Sequence, residues 1–199
     1  MIDLFAEAFT LWGSPTTWLE IAAFVIALVM VGCNIREIHW GWPLAIISSL
    51  MYFAVFWRSK LYGDASLQIF FVTVASWGWW QWLRGVRPDG AALKVALLSR
   101  RGLLIAAGVS AILWPVTGLF LKTFTDTDVP WWDAFPTSLS LVGQYLLGRK
   151  YAENWLVWIA VNVVSVGLFA YKGLWLTVIL YSIFVVLSVA GWRAWRARA

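Results

Sequence analysis

From Trp18 to Ile35 the chain reads W-L-E-I-A-A-F-V-I-A-L-V-M-V-G-C-N-I, and Glu20 is the only charge in it. Similar runs recur at 42–57, 64–83, 102–121, 133–148, 155–171 and 174–192, with charges almost confined to their ends. A helical run of about twenty apolar residues matches a hydrocarbon core of about 30 Å. In such a core every backbone polar group must be satisfied within the segment, which a helix does. No soluble interior hides that many runs in 199 residues that are 62% hydrophobic and 13% charged, with a mean hydropathy of +0.77. The expected fold is an all-α membrane protein with seven transmembrane helices. The second, fifth and sixth runs are short, and flanking Trp and Tyr extend them into the membrane interface.

Residues 1–17, with Asp3 and Glu7 among apolar neighbours, are expected to form an N-terminal interfacial segment, its first dozen residues as a helix. They lack the basic start of a signal peptide, so no cleavage is expected. Basic residues set the orientation. With the N-terminus outside, the inner segments hold eleven of the Lys and Arg side chains, including Arg36, Arg84, Arg149, Lys150 and Arg193. The outer loops then hold four, Arg58, Lys60, Lys122 and Lys172. The positive-inside rule puts the C-terminus inside. That asymmetry accounts for the pI of about 9.6, and no nucleic-acid partner is implied. The basic stretch 84–101 reads as a cytoplasmic loop that carries the topology signal. Cys33 has no second cysteine to pair with, and His39 is the only histidine, so neither is assigned chemistry.

The chain also matches itself at an offset of 113. Trp42 pairs with Trp155, Phe56 with Phe169, Leu61-Tyr62 with Leu174-Trp175, Phe71 with Phe184, and Arg36 with Arg149. G-W-W-Q-W at 78–82 pairs with G-W-R-A-W at 191–195. Four spans separate equivalent points, and an even number preserves direction across the membrane. Two parallel three-helix repeats, 18–83 and 133–195, are thus expected, joined by a linker helix at 102–121. Parallel repeats about an axis along the membrane normal are a transporter architecture with its site near the midplane.

Within the spans, charges deep enough to couple transport to an ion gradient are missing from the sequence, which favours facilitated diffusion. No cofactor, metal site or enzymatic motif is expected. The deep polar residues are uncharged: Asn34, Ser48, Ser49, Gln68, Thr73, Gln144, Asn162 and Ser165. In N-W-L-V-W-I-A-V-N, residues 154–162, Trp155, Trp158 and Asn162 share one helical face. An amide on that face must meet protein, water or ligand, since hydrocarbon would cost several kcal/mol. Trp155, near the inner interface, serves equally as a membrane-interface anchor or a ligand contact. Amides beside indole suit a ligand with hydroxyls, an amide and a flat ring, and a cationic ring gains about 0.5–2 kcal/mol over Trp. A phosphorylated ligand would want Lys or Arg there.

These residues resemble the PnuC family of bacterial vitamin transporters. The likeness rests on W-L-V-W-I-A-V-N, L-Y-G-D-A-S-L-Q-I-F-F at 61–71, G-W-W-Q-W at 78–82 and Gln144, and it runs from about residue 18 to 195. It implies a 3+1+3 fold, a homotrimer in the bacterial inner membrane, and import of nicotinamide riboside trapped by cytoplasmic phosphorylation. It also implies a central site bounded by Trp158 and Asn162 with Gln144, Asn34, Gln68 and Trp77. Relatives in the family import thiamine or riboflavin, which the sequence does not separate from the riboside. Rival readings are a SWEET-type sugar facilitator and a non-transporting membrane subunit whose tryptophans are anchors only.

Overall fold

The computed structural model describes residues 6–58, 62–87 and 90–199, and of residues 14, 55, 56, 58 and 62–67 the backbone only. The chain opens with a hairpin, not the expected interfacial helix: β1 (Glu7–Leu11) pairs antiparallel with β2 (Ser14–Thr17). Its two-residue loop, Trp12-Gly13, has φ of 46° and 85°. Positive φ at both positions matches the right-handed twist of hairpin strands. Pro15 and the β-branched Thr10, Thr16 and Thr17 disfavour helix there. Trp12 then packs edge-on against Trp175, with ring centroids 5.4 Å apart.

Seven helices follow among the described residues: α1 (Trp18–Ile35), α2 (Gly41–Arg58), α3 (Tyr62–Arg84), α4 (Arg100–Phe124), α5 (Pro130–Gly148), α6 (Asn154–Tyr171) and α7 (Trp175–Arg196). Glu20, the one acid in α1, is a capping residue. Its backbone N–H donates to Thr17 Oγ1 at 3.3 Å, and its carboxylate accepts the Thr17 N–H at 2.7 Å. α1, α4, α6 and α7 are long and apolar enough to cross a membrane. In α2 the apolar stretch is the shorter Gly41–Ala54. α3 and α5 are more polar because they carry Gln68, Gln81 and Arg84, and Asp133 and Gln144. α7 runs past the apolar stretch to Arg196, since cations in a last turn favour the helix dipole.

Helices adjacent in the chain pack together within α1–α2–α3 and within α5–α6–α7. α3 also meets α5, and α1 meets α7, so these six form a ring while α4 packs on α5 outside it. The turns α1–α2 and α5–α6 have the same construction. Glu37 and Lys150 both adopt left-handed backbone, φ 57° and 58°. The N–H of Ile38 reaches Cys33 O at 2.9 Å, and that of Tyr151 reaches Leu146 O at 2.9 Å. Both are the six-to-one bonds that close a helix C-terminus. Trp42 N–H then bonds His39 O and Trp155 N–H bonds Ala152 O, at 3.2 and 3.1 Å. Each residue in one turn has its counterpart 113 positions later in the other.

Within the basic stretch 84–101, read as a cytoplasmic loop that carries the topology signal, residues 96–98 are strapped to the α5–α6 turn. Ala96 bridges Tyr151, and the buried Glu153 accepts the Leu98 N–H with both carboxylate oxygens, at 3.0 and 3.1 Å. Sequence gave no sign of this because the partner is a main-chain N–H, which every residue but proline offers. Glu153→Ala leaves that buried N–H unpaired at a cost of about 2 kcal/mol. The expected result is faster hydrogen exchange at Ala96 and Leu98 with the helices unchanged; unaltered exchange there would refute the strap.

Candidate functional site

α6 carries the site because its apolar run places Trp155, Trp158 and Asn162 along one side. Asn162 is buried, and its Nδ2 donates to Ser188 Oγ of α7 at 3.2 Å. One turn earlier, half-buried Trp158 lies across Gly143 of α5, where an added Cβ would come 3.2 Å from the indole. A side chain at 143 would require the ring to give by a few tenths of an ångström. Next to Gly143 stands Gln144, whose Oε1 is covered and has no hydrogen-bond partner. A covered acceptor without a partner is costly, so a donor, a water or a ligand group, is expected beside it. Trp158 and Asn162 of α6 thus meet Gly143 of α5 and Ser188 of α7 respectively, and Gln144 is the chain neighbour of that glycine.

The other expected residues fall elsewhere on the ring. Asn34, also buried with an unpartnered Oδ1, is set against Gly41 at the α1–α2 turn. Trp77 lies over Gly148 and stacks on Tyr145, ring centroids 5.8 Å and planes 11° apart, which places it on the α3–α5 seam. Gln68 is half-buried in α3. The side chain of Asp64 and all of Leu61, quoted in the L-Y-G-D motif, lie outside the described residues. Ser188 was missed by sequence reasoning; a serine in an apolar helix, seven residues before Trp195, was its only signal.

Trp155 belongs to the buried core cluster, against which Trp158 also packs. Its ring covers Gly191, where a Cβ would lie 2.5 Å away, and it meets Trp195 edge-to-face at 5.6 Å and 88°. Trp42 covers Gly78 likewise and meets Trp82 at 5.6 Å and 84°. Trp82 Nε1 donates to Leu147 O at 3.0 Å, and Trp195 Nε1 donates to Ile35 O at 3.1 Å. The Nε1 atoms of Trp42 and Trp155 are both buried without a partner. Trp42, Trp155 and Trp195 lie in the buried core and Trp82 packs against it; of these, Trp155 was expected as a membrane-interface anchor or a ligand contact.

Electrostatically the site is plain. Ion pairs among the described residues lie at helix ends: Glu37 with Lys150 and Arg198 at one end, Lys172 with Asp128 and Asp133 at the other. Trp158, Asn162 and Gln144 therefore offer a ring face and neutral hydrogen-bonding groups, a surface for an uncharged or cationic aromatic ligand.

A family model described as nicotinamide mononucleotide transporter matches residues 17–197. The chain is 30% identical to the riboflavin/roseoflavin transporter RibM of Streptomyces davaonensis, over 98% of its length and 92% of the relative's. It is 26% identical to the nicotinamide riboside transporter PnuC of Escherichia coli, over 92% and 87%. Among solved structures, the vitamin B3 transporter PnuC superposes with a TM-score of 0.74 at 24% identity, covering 90% of this chain and 81% of that one.

Proposed function

As this chain belongs to the nicotinamide mononucleotide transporter family, a family of membrane vitamin transporters, we propose that it imports nicotinamide riboside by facilitated diffusion. The observation that supports this reading is Trp158 and Asn162 on α6, packed on Gly143 of α5 and bonded to Ser188 of α7, with the covered Gln144 acceptor of α5 left open. A pyridinium is flat and cationic and gains from the Trp158 face. The carboxamide and ribose hydroxyls supply donors for Gln144 Oε1 and hydrogen-bonding partners for the Asn162 amide. A phosphate is a poor guest because the ion pairs stand at the helix ends, so the mononucleotide is excluded and cytoplasmic phosphorylation traps what enters.

Asn34, Gln68 and Trp77 bound the same path in this reading, with Trp155 supporting it from below. All seven helices span the bacterial inner membrane, N-terminus outside, in contact with lipid. Helices α1–α3 and α5–α7 are parallel repeats joined by α4; the support is the matching pair of turns 113 residues apart and the ring that the six helices close. α4 presents an apolar flank, with Leu104, Ile112 and Phe124 mostly exposed. That flank is the contact face of a homotrimer.

Riboflavin is the second reading, favoured by the higher identity to RibM. Calorimetry on purified protein in detergent separates the two. Saturable riboside binding is expected, with none for the 5′-mononucleotide. Binding of riboflavin alone would keep the site and replace the substrate; binding of neither vitamin would remove both substrate readings.

A further inference from the structure

Glu37 and Lys150 stand at equivalent places in their turns, 113 residues apart, and they touch: Lys150 Nζ is 3.0 Å from Glu37 Oε2. Trp82 and Trp195, also 113 apart, meet with ring centroids 6.1 Å apart. Two positions exchanged by a two-fold rotation can be in contact only if both lie beside its axis. On the repeat proposed above, these two self-meeting pairs mark where the axis leaves the bundle at the end that carries the C-terminus. Anything moving along the axis must pass between them.

Several contacts around this point join the first three helices to the last three. Trp82 of α3 bonds Leu147 of α5, Trp195 of α7 bonds Ile35 of α1, and the Lys150 ammonium sits 4.9 Å over the Trp82 ring. Arg198 holds the second Glu37 oxygen at 3.0 Å. The Lys150 side chain is only 12% exposed and that of Glu37 23%, so solvent screens this pair less than a surface bridge.

We infer that the Glu37–Lys150 contact, backed by Trp82 and Trp195, is a latch that closes the path at this end and must part for a ligand to leave. A two-fold site occupied by identical residues would set like charge on like charge. Here one half carries the acid and the other the base, so the closed state is stabilised by the divergence of the two halves. Tilting one half against the other separates the pair without bending either turn. The inference rests on the transporter reading only for what passes; the latch itself concerns closure.

The test is the reactivity of a cysteine placed at Ser188, about 10 Å above Trp195 at 1.5 Å per residue, in a Cys33→Ser background. A small uncharged maleimide is applied to purified protein in detergent. Lys150→Glu, which opposes two carboxylates, is expected to label about tenfold faster, the shift produced by about 1.4 kcal/mol between closed and open states. The swap Glu37→Lys with Lys150→Glu returns the rate to that of the parent. Lys150→Gln, which removes attraction without adding repulsion, gives an intermediate rate and serves if Lys150→Glu does not fold. Equal rates in all variants, or a swap as fast as Lys150→Glu, would overturn the latch. Riboside uptake into proteoliposomes is measured in parallel on the parent and the position 37 and 150 variants with Ser188 intact. If labelling follows the expected order while no variant takes up riboside, the latch stands and the substrate assignment falls.

Discussion

Trp158→Ala is expected to weaken riboside binding by about a hundredfold, since it removes a cation–π contact of about 2 kcal/mol together with the apolar ring face. Asn162→Ala follows closely, at about thirtyfold or more. It leaves a ligand amide without a partner in a buried place, a loss of about 2 kcal/mol. Each effect is read by calorimetry, with thermal unfolding of the same samples as the control. The two roles give different patterns. If the face is only packing, both variants unfold at lower temperature while ligand affinity holds, and the site assignment then fails. If it is a site, affinity collapses, and the melting shift stays small for Asn162→Ala, whose bond to Ser188 at 3.2 Å is a single neutral one.

The second large effect is on stability. At Gly191 a methyl group would sit 2.5 Å from Trp155, and at Gly78 closer still to Trp42. Neither ring can retreat, because Trp155 is 3% exposed and Trp42 2%. Gly191→Ala or Gly78→Ala is therefore expected to destabilise by about 3 kcal/mol, the upper range for overpacking a rigid core. The check is a double-mutant cycle on melting in detergent. With Trp155→Leu already present, Gly191→Ala should cost less than about 1 kcal/mol, because the smaller side chain can shift. Additive costs in the cycle would show that the glycine and the indole do not meet.

Hydropathy made the helices legible, and most clearly those that combine length with few charges, α1, α4, α6 and α7. It placed ends less well. α7 continues to Arg196 where apolarity stops at Trp192, because a last turn of arginines is favourable to the helix while unfavourable to a hydropathy average. The hairpin at 7–17 was illegible as such, since its turn is Trp-Gly and not one of the Asn-Gly or Asp-Gly pairs that announce it. The docked stretch 85–98 was equally hidden, held by main-chain bonds and one glutamate.

In the site, periodicity put Trp155, Trp158 and Asn162 on one side of α6, and that much of the geometry follows from 3.6 residues per turn. The division of labour along that side did not follow. Trp155 faces a glycine and packs; Trp158 faces a different glycine, beside an open glutamine acceptor. What distinguishes them is the small residue opposite, Gly191 or Gly143, on another helix far away in sequence. Long-range complementarity of that kind has no local signature. The same holds for Ser188, whose hydroxyl matters because Asn162 reaches it across a helix boundary.

The bond from Asn162 to Ser188 has a meaning for ligand orientation. The positions 113 residues earlier are Ser49 and Ala75, a pair that offers no amide. In the proposed site, a cavity with two equal walls would accept a guest in two orientations related by a half-turn about the path. With the amide on one wall alone, a molecule that carries its own amide to one side has a single preferred orientation across the path.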